Sequence, residues 1–202
     1  MISIRHPAEA GAFLLDWDGV LANTRLDFSH LRNKYFGGKI VPLSETAAAL
    51  PEPDRSLVLS EIHRIEMGGA DAATAVEGAS DLIAWLAEAR KPWAVISRNS
   101  RESILLAAER CGITLPPVTL SREESYIKPD PRALNLAAER LGVALSDCVM
   151  VGDFVFDLEA AQNAGIPSVL VRKIGAEWES LADFAYDTVL DFVQDLRAFP
   201  ES

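Results

Sequence analysis

From about residue 80 onward, short apolar runs alternate with amphipathic stretches of helical length, and no other feature constrains the fold as tightly. Ser80-Asp81 can cap a helix carrying Leu82, Ile83, Trp85, Leu86 and Ala89, which Pro92 terminates. Trp93 to Ser97 reads as a buried strand. Asn99-Ser100 then caps a second helix, with Ile104, Leu105, Ala108 and Cys111 on one face and Gly112 past its end. A short strand near Val118–Leu120 precedes a third helix, opened by Asp130-Pro131 and running to Leu141-Gly142. Cys148 to Val151, a helix from Asp157 to Ala164, and Ser168 to Val171 continue the alternation. Strands alternating with helices imply right-handed crossovers and a parallel sheet covered on both faces. The expected fold class is therefore α/β, a Rossmann-like doubly wound parallel sheet.

Residues 25 to 76 break that rhythm. They contain no convincing buried strand, but helical patches lie around Phe28–Tyr35 and Ser56–Glu66, the second with apolar Leu57, Leu59, Ile62 and Ile65. Gly37-Gly38, Pro42, Pro51, Pro53 and Gly68-Gly69 punctuate the stretch. The expected organisation is a core of residues 1–24 and 77–202 with a small helical cap of residues 25–76. An elaborated loop packed on the core is the alternative. Gly78 at the return crossing offers the freedom a hinge needs.

The chemistry gathers where strands end. Leu14-Leu15-Asp16-Trp17-Asp18-Gly19 and Met150-Val151-Gly152-Asp153 are apolar runs that stop at aspartates, and Asp157 follows the second. In an open parallel sheet, ligands bind at the carboxyl ends of the strands. Asp16 and Asp18 lie two residues apart, so on an extended backbone both side chains point the same way and Trp17 points into the core. Two carboxylates so close are costly unless a cation lies between them or one takes up a proton. Hard oxygen ligands of this number suit Mg²⁺ together with a substrate phosphate. A solvent-facing acidic turn is the plain alternative for this pair, and helix capping is the plain alternative for Asp157. Ser97, Arg98 and Asn99 end one strand at the start of a helix, which is a natural phosphate cradle but also an ordinary capping sequence. Lys128, before Pro129 in an acidic neighbourhood, can neutralise a carboxylate and a phosphate oxygen together; a solvated surface lysine is the alternative.

These pieces in this order resemble the haloacid dehalogenase superfamily of hydrolases, specifically its phosphoglycolate-phosphatase-like branch. The match runs from Asp16-x-Asp18-Gly19-Val20-Leu21 through Ser97 and Lys128-Pro129 to Gly152-Asp153-x-x-x-Asp157 and Ala164-Gly165. The resemblance implies Asp16 as nucleophile, Asp18 as general acid and base, and Ser97 and Lys128 as phosphate holders. It assigns Mg²⁺ to Asp16, the backbone carbonyl of Asp18 and Asp153, with Asp157 in support. The implied activity is phosphatase action on a small phosphorylated metabolite through an aspartyl-phosphate. Rival readings are a sugar-phosphate mutase and a non-catalytic phosphate-ligand-binding domain. A dehalogenase is disfavoured, because displacing a halide has no use for Asp18. Asn23 departs from the family, where an aspartate is common.

Composition excludes other partners. A net charge of −11 disfavours a nucleic-acid backbone or an anionic membrane and repels anionic substrates unless local cations draw them in. Hydrophobic content of 49% is that of a globular protein. Arg5, His6 and Glu9 interrupt any secretory leader, and Cys111 and Cys148 read as reduced thiols, so the expected location is cytoplasmic, as monomer or homodimer. His6, His30 and His63 are scattered without ligand spacing.

Overall fold

The computed structural model describes residues 6–200, which leaves Arg5 of the N-terminal expectation outside the described residues. The chain enters through β1 (Ala12–Leu15), and β2 (Ala22–Asn23) leads away from the sheet. An excursion through α1 (Ser29–Phe36), α2 (Leu43–Ala48) and α3 (Asp54–Asp71) returns by β3 (Thr74–Ala75). The alternation then begins: α4 (Ala79–Glu88), β4 (Trp93–Ile96), α5 (Arg101–Cys111), β5 (Thr119–Leu120), α6 (Arg132–Leu141), β6 (Cys148–Gly152) and α7 (Val155–Ala164). Beyond it come β7 (Ser168–Val171), β8 (Phe184–Tyr186) and α8 (Val189–Ala198), the last two lying past the final strand expected from sequence.

The main sheet has the order β5-β4-β1-β6-β7-β8, with every pairing parallel. β1 is its centre, flanked by β4 and β6, and all four of its residues are buried. That position explains its unbroken apolar run, since a central parallel strand is covered on both faces. The pleat sorts its side chains. Phe13 and Leu15 join Val95, Val151, Trp85 and Phe192 in one core layer, while Ala12 and Leu14 join Ile96, Met150, Leu134 and Ala161 in the other. The connection from β1 runs outward to β4 and β5, then crosses back to β6 on the other side of β1. The crevice of the sheet therefore opens over the carboxyl ends of β1, β4 and β6.

The excursion has a small core of its own, Leu31, Leu43, Ala47, Val58 and Ile62. Its two connections pair as an antiparallel ladder, Ala22 opposite Ala75 and Asn23 opposite Thr74, a feature that sequence does not announce because each strand is two residues long. The six-residue α2 is likewise too short to show a period. In α3 the buried stripe is Val58, Ile62, Glu66 and Ala70, whereas the expected Leu57 and Leu59 are 56% and 37% exposed. The stripe keeps a strict spacing of four but contains a glutamate, so following apolarity alone gives the wrong phase. The same holds for Leu105 of α5: it is exposed, and Ser103, Ile104, Ala107 and Ala108 face inward. Among the described residues, no helix is long and apolar enough to cross a membrane.

Gly78 is not a free hinge. It is buried at the start of α4 with φ +88°, and a Cβ there would collide with the backbone of Val189 and Leu190 at the start of α8. Gly112, with φ +66°, has nothing near enough to clash. Gly78→Ala is expected to lower stability by about 2–4 kcal/mol, adding overpacking to backbone strain, against about 1 kcal/mol for Gly112→Ala. Urea unfolding midpoints of the two variants check this; equal losses would show that the α4–α8 approach is not tight.

Candidate active site

β1 stops at Leu15, but its ladder continues one step, as Asp16 N–H donates to the Val151 carbonyl at 2.9 Å. The chain then turns sharply, with the Leu21 and Ala22 amides both returning to the Trp17 carbonyl. Gly19 makes the turn possible: its φ is +77°, and any Cβ would overlap the Asp153 carboxyl group arriving from the end of β6. Trp17 is fully buried in the core, as the alternation requires. Asp16 and Asp18 are thus held over the crevice with different neighbours.

The Lys128 ammonium is the hub. It lies on the loop before α6, is 1% exposed, and donates to Asp16 Oδ1 at 2.7 Å and to Asp157 Oδ1 at 2.6 Å. It is no surface lysine. Burial acts most strongly on it and favours the neutral amine, but Asp157 and Asp16 outweigh that and hold its pKa above the usual lysine range. Asp157, 2% exposed, also accepts the Phe154 N–H at 3.1 Å, so it caps α7 and binds the lysine at once. Capping and site-building are here one arrangement rather than alternatives.

Asp153 completes an acidic cluster. One oxygen from each of Asp16, Asp153 and Asp157 lies within 4.8 Å of the others. Burial, followed by the charge of Asp157, raises the Asp16 carboxyl well above the ordinary range. The same two causes, in the same order, push Asp153 up to about 7. Two buried carboxyls bonded to one ammonium and a half-buried third stand close together, and their hard oxygens match a small divalent cation. The residues present fit a magnesium-type ion.

Asp18 lives differently. Its carboxyl accepts hydrogen bonds from the Thr24 hydroxyl and the Asn99 amide, and burial, opposed by those two donors, raises it to about 6. A carboxyl titrating there can both give and take a proton near neutral pH. Ser97, buried at the end of β4, presents its hydroxyl to the same cavity and accepts the Asn99 N–H at 3.1 Å. Asn99 therefore positions Asp18 and braces the turn. Arg98 lines the cavity too, but its guanidinium is engaged by both Glu45 oxygens of α2, at 3.0 and 2.8 Å, and by the Lys128 carbonyl.

The cavity measures about 340 Å³, with Asp16, Asp18, Ser97, Lys128 and Asp153 on the side of the sheet. Phe28, Arg32, Val41, Leu43 and Ile62 close the other side. Several members escape a reading of the sequence. Thr24 gives no signal, being one hydroxyl in a polar stretch. Arg172, which donates to the Gly19 carbonyl at 3.2 Å, stands just past β7, and its place immediately after an apolar strand was the available signal. Glu66, 3% exposed, pairs with Arg122 at 2.5 Å and accepts the Ser100 N–H at 3.3 Å. Its position in the four-residue stripe of α3 could have marked it.

Comparison with known proteins gives this arrangement a context. A family model for haloacid dehalogenase-like hydrolases matches residues 10–165. A phosphoglycolate phosphatase of Xylella fastidiosa (strain 9a5c) is 46% identical over 61 residues, which are 30% of this chain and 25% of that protein. The chain thus spans a quarter of the length of that relative in the matched region. Hexitol phosphatase A of Escherichia coli (strain K12) is 30% identical over 134 residues, 66% of this chain and 62% of that protein. Among solved structures, a hydrolase from Pseudomonas syringae superposes with a TM-score of 0.75 at 18% identity, covering 94% of this chain and 99% of that one, a likeness of fold.

Removing one partner of a buried ion pair costs far more than the pair contributes, because an unpaired charge stays behind. Lys128→Met is accordingly expected to destabilise the metal-free protein by about 3–5 kcal/mol. Urea unfolding in the presence of chelator reads this directly. A loss under about 1 kcal/mol would place the ammonium in solvent rather than between Asp16 and Asp157.

Proposed function

The chain belongs to the haloacid dehalogenase-like hydrolases, and on that premise we propose that it is a Mg²⁺-dependent phosphatase hydrolysing a small phosphate monoester through an aspartyl-phosphate on Asp16. The observation that carries this reading is the division between two neighbouring carboxyls. Asp16 is bonded to an ammonium, whereas Asp18 is bonded to two neutral donors and titrates near 6. Carboxyls whose surroundings differ in this way take different roles.

In the first step a carboxylate oxygen of Asp16 attacks phosphorus in line and the ester P–O bond breaks. Asp18 gives its proton to the departing oxygen. In the second step Asp18 takes a proton from water, the resulting hydroxide attacks the aspartyl-phosphate, and inorganic phosphate leaves as the Asp16 carboxylate reforms. Thr24 and Asn99 hold Asp18 in position for both transfers. Lys128 fixes one oxygen of Asp16, and with the Ser97 hydroxyl it offers donors to the phosphoryl oxygens. When bound, a divalent ion held by Asp16, Asp153 and Asp157, with the Asp18 carbonyl that the family resemblance adds, would neutralise charge on the transferring phosphoryl group. Arg98 and Asn99 act in this scheme by orienting the loop rather than by gripping phosphate.

Residues 25–76 act as the cap. Phe28, Val41, Leu43 and Ile62 line the cavity that contains Asp16, and such a wall keeps water from the first step. The cavity sits at the small end of the range for ligand sites, about 300–1,000 Å³, which favours a small metabolite. Phosphoglycolate and hexitol phosphatases among its relatives point the same way. Free Cys111 and Cys148 suit a reducing, cytoplasmic setting.

The test is release of p-nitrophenol from p-nitrophenyl phosphate. Asp16→Asn should lower kcat by about a thousandfold or more, since the amide keeps the shape but is no nucleophile. An Asp16→Asn protein retaining a tenth of the activity would remove Asp16 from this role. Chelation should abolish turnover and added Mg²⁺ restore it, with Ca²⁺ a poor substitute because it favours more ligands and looser geometry. Asp153→Ala should mimic chelation, and undiminished turnover in excess chelator would overturn the metal requirement.

A further inference from the structure

Glu66 is a buried charge that the hydrolytic scheme leaves without a task. It stands in the inward stripe of α3 between Ile62 and Ala70, 3% exposed, where an apolar residue would bury more readily. A carboxylate taken out of water is costly unless its oxygens are met, so its partners define what it does.

Those partners close a ring. One Glu66 oxygen accepts from the Arg122 guanidinium at 2.5 Å, and the other accepts the Ser100 N–H at 3.3 Å. The backbone N–H of the same Arg122 donates to the Asn99 carbonyl at 2.8 Å. Asn99 C=O and Ser100 N–H belong to one peptide unit, so both polar groups of that rigid plane are held, one by Arg122 and one by Glu66. The Asn99 side chain leaves the backbone beside this plane, and its amide donates to Asp18. The tilt of the peptide therefore sets where that amide reaches.

Helix capping does not account for the arrangement. The Ser100 hydroxyl already caps α5 by accepting the Ser103 N–H at 3.3 Å, and the Arg101 N–H is met by Glu123 at 3.0 Å. Attachment of the insertion does not account for it either. Arg98 with Glu45 joins the insertion to the same loop, yet its guanidinium reaches the Lys128 carbonyl and neither group of the Asn99–Ser100 peptide.

We propose that Glu66 is a positioning residue for proton transfer: through the Asn99–Ser100 peptide it fixes the amide that holds Asp18, the group that gives its proton to the departing oxygen. This rests on the phosphatase reading, which makes Asp18 the acid, and adds the residue on the insertion that keeps the acid aimed. Without the carboxylate, Ser100 N–H loses its acceptor and Arg122 its counter-ion, and the peptide is free to tilt toward other partners. A misplacement of about 1 Å is enough to cost about a hundredfold in such a transfer.

Leaving groups of different basicity separate this role from a structural one. The p-nitrophenolate ion departs as a stable anion with little need of a proton, whereas p-methylphenolate, of nearly the same size, depends on receiving one. The quantity measured is kcat/KM for the two aryl phosphates, on the full chain supplemented with Mg²⁺. In Glu66→Ala the p-methylphenyl ester is expected to lose about tenfold to a hundredfold, and the p-nitrophenyl ester less than about threefold. Glu66→Gln keeps an acceptor for Ser100 N–H but no charge for Arg122, so its loss should be equally selective and smaller, about threefold to tenfold. That variant keeps the question answerable where circular dichroism shows the Ala variant misfolded. Equal losses on the two esters, or no selective loss in a folded variant, overturn the positioning role and leave the phosphatase reading standing. A wild type that hydrolyses neither ester removes that reading, and the role with it.

Discussion

The buried ammonium of Lys128 is the interaction on which the rest of the site depends. It joins three segments remote in sequence: the end of β1 through Asp16, the loop before α6, and the first turn of α7 through Asp157. Taking each of these ions out of water costs several kcal/mol, and a single pair seldom recovers more than that. One cation between two anions doubles the attraction but leaves the anions repelling each other, and Asp153 adds a third carboxyl at the same place. Burial raises Asp16 and Asp153 most, and the charge of Asp157 comes next for both, so the three carboxyls oppose one another's ionisation. A cation held by the three carboxyls would relieve that repulsion and stabilise the folded state, since anything binding that state alone does so.

The scaffold meets that strain with rigidity. β1 and β6 are each covered on both faces, and the sheet ladder is extended through Asp16 itself, so the nucleophilic candidate has no freedom to swing away from Lys128. Gly19 lets the turn pass against Asp153 where any side chain would overlap the carboxyl group. The acidic cluster is a product of close-packed backbone, not of flexible side chains finding one another. That is why a strand end, rather than a surface loop, is where the aspartates sit.

Legibility from sequence tracks the range of the forces involved. The strands around Leu14, Val95 and Met150 were readable because a doubly buried strand must be apolar throughout, a local condition. The aspartates at their tips were readable for the opposite reason: a carboxyl has no business ending such a run unless it is used. Partners supplied by distant segments were not readable. Asn99 serves Asp18, Glu66 meets Arg122, and Arg98 turns away to Glu45 because of tertiary placement that no local pattern encodes. Leu57 and Leu59 misled because hydrophobicity outweighed phase: a paired glutamate can occupy a buried stripe while two leucines face water. Gly78 misled because the conformation that permits motion also permits close packing, and α8, which decides between them, lay beyond the last element expected.

The insertion is attached in two physically different ways. At the far end of α3, Ala70 joins Ala73 and Val76 in the large core layer under the sheet, an apolar attachment that water does not replace. Across the cavity, the seam is Glu66 with Arg122 and Glu45 with Arg98, charged groups that regain hydration when separated. Separating an apolar contact exposes surface at about 25 cal/mol per Å², whereas separating an ion pair returns much of what was lost in burying it. The seam over the site is thus the cheaper boundary to part, and the Ala70 end is the costlier one.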